Sequence, residues 1–243
     1  PAMSQERTEA VVLRGTDFSE TSRIVTFLTP SRGKFACMAK GARRPKSGVA
    51  GALDTLNRVE IVYYWKDGRE VQQLGETSLL SNYPATKRDL DKTTYAALPA
   101  ELVLHIARDN EPSGVLYRVF VAGLESSESW QGDRRTHCAW QVHHLFIAAG
   151  FAPSLTSCGS CGAPLTRAAG FAYASGACCT NCPADAPLSQ PLWAQLKSFE
   201  AASTCPGFVL EPGGLRLLAR YASYHLERDF RSMRIIEEML GAP

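Results

Sequence analysis

The chain has 243 residues, 45% of them apolar and 21% charged, and a formal net charge of +2. That apolar fraction, with four Trp and ten Phe, is enough to fill a core and argues against disorder. No apolar run approaches the length that crosses a bilayer, and the polar start Ser4-Gln-Glu-Arg-Thr-Glu9 is unlike a secretory leader, so the expectation is a cytoplasmic protein with no membrane partner. Pro1 and Ala2 precede Met3 and read as a vector-derived remnant.

From Glu9 to Leu80 the chain reads as short β-rich runs separated by turn residues. The expected strands are Glu9 to Leu13, Arg23 to Leu28, Phe35 to Lys40, Arg58 to Trp65 and Val71 to Thr77, with Pro30, Gly33, Gly41, Asp67 and Gly68 as breakers. Val25 and Phe27, then Val59, Ile61 and Tyr63, alternate as strands with one core face do. Five such strands predict a small OB-fold barrel over residues 1–82, whose solvent face and loops bind oligonucleotides.

Charge is distributed unevenly over these strands. Between Glu20 and Asp54 there is no acidic residue, while Arg23, Arg32, Lys34, Lys40, Arg43, Arg44 and Lys46 place seven cations there and leave −5 for the remainder. A basic strand and loop can neutralise phosphates and release counterions, so these seven are the candidate DNA-binding residues. The connection Gly41 to Leu53 has no strand or helix period and reads as a basic loop able to follow an irregular backbone. Phe35, Tyr63, Tyr64 and Trp65 are candidates for base stacking, with most of them expected in the core and at most one on a base.

After Pro84 the pattern becomes helical, so residues 83–243 are expected to form a helical domain. Asp89 to Asp109, broken or kinked at Pro99, then Ser113 to Ser126 and Asp133 to Ala149 read as helices, the last with Gly150 as its stop. His137, His143 and His144 read as core-edge or surface histidines, and Cys138 and Cys37 as small buried residues. Gln190 to Ala202, Gly214 to Glu227 and Arg231 to Leu240 complete the helices. Arg216 and Arg220, one turn apart, form a solvated face or a possible secondary basic surface.

Within this domain lies a knuckle region at 155–185. Cys158-Gly-Ser-Cys161 and Cys179-Thr-Asn-Cys182 are two Cys-x-x-Cys pairs separated by seventeen residues, the spacing of a tetrahedral Cys₄ site. Cys158, Cys161, Cys179 and Cys182 are the expected ligands of one structural Zn²⁺ per chain, with Cys178 a substitute for Cys179. Four thiolates close the coordination sphere, so the ion is a staple and not a catalyst.

The run Ser22-Arg-Ile-Val-Thr-Phe-Leu-Thr29, then Gly33-Lys-Phe-Ala-Cys-Met-Ala-Lys-Gly-Ala-Arg-Arg-Pro-Lys-Ser47, resembles the RecO family of bacterial recombination mediators. So do the inserted cysteine pairs and the C-terminal Tyr224-His-Leu-Glu-Arg-Asp-Phe-Arg-Ser232; the doubled Cys178-Cys179 departs from the pattern. The resemblance implies a non-catalytic DNA repair protein that binds single- and double-stranded DNA and anneals complementary strands. It also implies work with RecR and single-stranded DNA-binding protein (SSB), and through them loading of RecA. No phosphate-binding Gly-Lys-Thr loop, Gly-x-Ser-x-Gly elbow or deaminase His-x-Glu accompanies these features. An RNA-binding OB and zinc module is the alternative, and a pure protein scaffold the third reading.

Overall fold

The computed structural model describes residues 3–44 and 49–239. By internal contact the chain forms two compact units: one runs to Arg88 and also takes in Val103–Glu128, and the other comprises Asp89–Leu102 and the chain from Ser129 onward.

The first unit is built on β1 (Ser4–Asp17), β2 (Arg23–Thr29), β3 (Gly33–Ala39), β4 (Arg58–Trp65) and β5 (Val71–Ser81). They close into a barrel in the order β1-β2-β3-β5-β4. β3 and β5 run parallel, and the other pairs are antiparallel. This is the expected five-stranded barrel. The long β1 serves two neighbours: Ser4 to Val11 pair with β4, and Val11 to Asp17 with β2. A register shift between Val12 and Arg14 provides the bend that closure requires.

Alternation decides which side chains enter the barrel. On β3, Phe35, Cys37 and Ala39 turn inward while Lys34, Ala36 and Met38 remain partly exposed. They meet Val25, Phe27, Val59, Ile61, Tyr63 and Trp65 in one buried cluster. Each large side chain there contributes on the order of 1.5–3 kcal/mol.

Helices α1 (Pro84–Arg88), the last turn of α2 (Leu90–Ile106) and most of α3 (Gly114–Ser129) belong to the barrel unit. The α2–α3 connection clasps the β2–β3 turn. Lys34 N donates to Arg108 O at 3.2 Å, Asn110 N to Lys34 O at 2.9 Å and Ser113 N to Pro30 O at 3.1 Å. Gly33 makes this fit possible. Its φ is +59°, and a Cβ would lie 1.9 Å from Glu111 O, so no other residue can stand there without moving the clasp.

The second unit holds the start of α2, α4 (Arg134–Ala149), the sheet of β6 (Gly170–Ala172), β7 (Gly176–Cys178) and β8 (Ala186–Pro187), then α5 (Gln190–Ala201), α6 (Gly214–Leu226) and α7 (Arg231–Met239). α4 starts where Asp133 accepts the Thr136 N–H at 2.8 Å and stops at Gly150, φ 80°, as capping chemistry requires. Of the break or kink expected at Pro99, the break does not occur: α2 continues through it. Proline deprives the Tyr95 carbonyl of its helical donor, and the Cys138 thiol donates to that oxygen instead at 3.3 Å. The start of α7 is held by Glu101, which accepts from Arg231 N at 3.0 Å and Ser232 N at 2.8 Å. Among the described residues, no helix is long and apolar enough to cross a membrane.

Candidate nucleic-acid interface and metal centre

The basic window divides by what each cation already touches. Arg32 is internally committed: Nε and Nη2 donate to Glu6 at 3.1 and 2.6 Å, and its guanidinium lies 4.3 Å from the Trp65 ring centre. Burial alone would raise the Glu6 carboxyl, but hydrogen bonds from Arg32 and Tyr63 outweigh it and hold the group below its ordinary value. Lys34 is also committed, with Nζ donating to Leu104 O at 2.8 Å and pairing with Asp109 at 3.4 Å. Neither interaction is visible in local sequence, because Glu6 and Leu104 are distant along the chain.

The other cations gather near the β1–β2 turn. Ser22 O accepts from Phe18 N and Ser19 N at 3.1 and 3.3 Å to close that turn. The segment after β3 docks on it: Arg43 N donates to Thr21 O at 3.1 Å, and Arg43 Nη1 to Ser19 O at 2.6 Å. Asp17 pairs with both Arg23, at 3.5 Å, and Arg43, at 3.3 Å, so one acid is divided between two cations. Lys40 and Arg44 are exposed and enter no ion pair among the described residues. Lys46 lies outside the described residues. Of the stacking candidates, Phe35, Tyr63 and Trp65 are buried core, and Tyr64 is partly covered.

Phe18, which sequence reasoning passed over, stands at the turn with 63% of its surface exposed. Its signal was an aromatic residue in a polar turn, Asp17-Phe-Ser-Glu-Thr-Ser22, where no core demands one. A turn that carries an exposed ring and holds Arg43 through the Ser19 carbonyl offers one stacking surface and one cation, the two kinds of group a single strand can engage. Arg216 donates to Glu237 at 2.6 Å, which leaves Arg220, exposed on α6, as the less committed member of that pair.

The cysteine pairs come together in the second unit. Cys158 N donates to Ala163 O at 2.7 Å, and Gly162 N to Cys158 O at 2.8 Å with Gly162 at φ +76°, which folds the first knuckle tightly. Gly159 N donates to Ala177 O at 2.8 Å and brings this turn against β7, beside the second pair. The sulfurs of Cys158, Cys161, Cys179 and Cys182 lie within 4.8 Å of one another, and those of Cys161 and Cys179 are 3.9 Å apart. Sulfurs bound at ~2.3 Å to a tetrahedral ion stand about 3.8 Å apart, so the donor set fits zinc. All four cysteines are free thiols.

Main-chain N–H groups of Cys179, Cys161 and Ser160 draw the Cys158 thiol down to about 6. The neighbouring sulfurs of Cys179, Cys161 and Cys158 push Cys182 up to about 12. Four crowded sulfurs cannot all shed protons without a cation among them. Cys178 is outside the group: it is fully buried in β7, with Sγ 3.6 Å from Gly176 O and 3.7 Å from Ser160 Oγ. The histidines of α4 are separate from this cluster; His143 is wholly buried and His137 nearly so.

A family model described as Recombination protein O N terminal matches residues 3–83, and one described as Recombination protein O C terminal matches residues 87–234. A DNA repair protein RecO of Anaeromyxobacter dehalogenans is 29% identical over 255 residues, covering 99% of this chain and all of that protein. A DNA repair protein RecO of Streptomyces avermitilis is 29% identical over 252 residues, 97% of this chain and all of the relative. One from Salinibacter ruber is 34% identical over 151 residues, 61% of this chain and 57% of that protein.

Proposed function

Since this chain belongs to the Recombination protein O family, we propose that it acts in recombinational DNA repair as a non-catalytic mediator that binds single- and double-stranded DNA and anneals complementary strands. In this reading it works with RecR and SSB to help load RecA. The observation that carries the DNA-binding part is the exposed segment of Lys40, Arg43 and Arg44 on an OB barrel, held through Arg43 to the β1–β2 turn that carries exposed Phe18. Phosphate contacts position a strand without reading its sequence, which annealing of any complementary pair requires. Arg23 shares Asp17 and adds a weaker contribution; Arg32 and Lys34 act chiefly through the fold. Arg220 is the candidate for a secondary basic contact. The protein operates in the cytoplasm, at the nucleoid.

In the second unit, Cys158, Cys161, Cys179 and Cys182 would hold one Zn²⁺. When bound, the ion supplies only cross-linking of two loops, since its coordination sphere is closed. The chain's own contribution is to present the sulfurs and donate main-chain N–H groups to Cys158.

The test is fluorescence anisotropy of a labelled single-stranded oligonucleotide across a salt series, with unlabelled DNA and RNA as competitors, followed by an annealing assay on complementary strands. Binding that falls steeply with salt, resists RNA and accelerates annealing supports the reading. Equal competition by RNA favours the RNA module, and absence of binding at low salt refutes the DNA role.

A further inference from the structure

A groove of about 510 Å³ lies on the outer face of the first unit, between the barrel strands and the α2–α3 connection. Its size is within the range of small-ligand sites. Its floor follows from strand register. Arg14, Thr26, Ala36 and Val71 are successive cross-strand partners on β1, β2, β3 and β5. Ala36, in the middle of that row, contributes only a methyl group and leaves the depression, and Thr26 lines it with a hydroxyl. Leu104, His105 and Asn110 form the side wall.

The charges lining the groove cancel. Arg14 and Lys34 are opposed by Glu70 and Asp109, and Lys34 already pairs with Asp109 at 3.4 Å. A phosphate gains nothing from such a site, whereas a neutral, flat, hydrogen-bonding ligand does. Glu70 and the Asn110 carbonyl accept hydrogen bonds, as an exocyclic amino group requires. Arg14, exposed at the end of the row, remains available for the adjoining phosphate.

We infer that this groove receives one unpaired nucleobase carrying an exocyclic amino group, extruded from a strand held on the basic surface. This rests on the DNA-binding reading above and deepens it. A base whose pairing edge faces Glu70 and Asn110 cannot also be paired, so the groove favours single strands over duplex and must release its base before that nucleotide anneals. One captured base is worth roughly tenfold to a hundredfold in affinity, the worth of a hydrogen bond made to a charged group.

The test compares oligo(dC), oligo(dT) and a fully abasic oligonucleotide of equal length by anisotropy, with the wild type, Ala36→Phe and Asn110→Gly. The first variant fills the floor. The second removes the amide at a residue whose φ is +61°, a conformation glycine accepts. In the wild type, oligo(dC) is expected to bind about tenfold tighter than oligo(dT), and both tighter than the abasic strand because Phe18 can stack on any base. Both variants should shrink the gap between oligo(dC) and oligo(dT) to about threefold or less, with the salt slope and melting temperature of the protein unchanged. A gap that persists in both variants, or a wild type that binds oligo(dC) and oligo(dT) alike with a normal salt slope, overturns the base site while leaving DNA binding intact. Failure of every strand to bind the wild type overturns both.

Discussion

Replacing Lys40 and Arg44 together with alanine removes two exposed cations that no described acid neutralises. If each contacts one phosphate of a single strand, the slope of log K against log salt should become shallower by about 1.4, at about 0.7 per phosphate. Between 50 and 200 mM salt the wild type should then lose about sevenfold more affinity than the variant. Adding Arg43→Ala should change the slope by less than either single site, because Arg43 shares Asp17 and is held by the Ser19 carbonyl. The assay is anisotropy at four salt concentrations on a single-stranded oligonucleotide, with the melting temperature measured alongside. Both side chains are exposed, so stability should move by no more than about 0.5 kcal/mol. An unchanged slope in a folded double variant refutes the assignment of this segment to the DNA surface.

Arg32→Ala should behave oppositely, lowering stability in urea by roughly 1–2 kcal/mol as the half-buried Glu6 loses two charge-assisted hydrogen bonds, with little effect on the salt slope. Chelation at neutral pH should release one zinc per chain, read with a colorimetric metal indicator, and lower the melting temperature of the second unit; Cys158→Ser should prevent loading, while Cys178→Ser should still bind one ion. His143 is wholly buried, with neither ring nitrogen hydrogen-bonded among the described residues, and burial, aided by His144, pulls it down to about 4. The unfolded chain therefore binds the extra proton between its ordinary value and about 4. Stability should fall with acidification across that window, by up to about 1.4 kcal/mol per pH unit. His143→Phe should reduce the slope seen in urea titrations between pH 7 and 5 and cost little at pH 7, since an apolar ring needs no partner there.

Much of this molecule was legible as pattern. The strand Arg58–Trp65 was bounded correctly from alternation alone, and α4 was read from its apolar spacing and its Asp133 and Gly150 ends. β1 was read too short because Gln5, Glu6 and Arg7 give no apolar signal, although they pair fully with β4. The strands of the cysteine region are two or three residues long, below what periodicity can register. The gathering of the four cysteines was readable because two Cys-x-x-Cys pairs are the spacing that a tetrahedral donor set requires. The basic surface was only half readable: charge counts located the window, but neutralisation of Arg32 by Glu6 and tethering of Lys34 to Leu104 depend on tertiary pairing. Alternation put Val59, Ile61 and Tyr63 on one face of β4, and the barrel turns that face inward together with Trp65, as most of the aromatic candidates were expected to be.

The clasp around Gly33 bears on the order in which the protein is made. The barrel strands are complete once Ser81 has been synthesised, yet the groups that secure the β2–β3 turn belong to Arg108, Asn110 and Ser113, the last of them 32 residues later in the chain. At about 5–20 residues per second, a ribosome needs roughly 2–6 s to supply them. Through that interval the nascent barrel has an unclasped turn, with the Lys34 main chain and ammonium group left to water. The N-terminal module thus reaches its final form only when part of the helical sequence has also emerged, and a gene truncated at the family-model boundary would encode a barrel held permanently at that earlier stage.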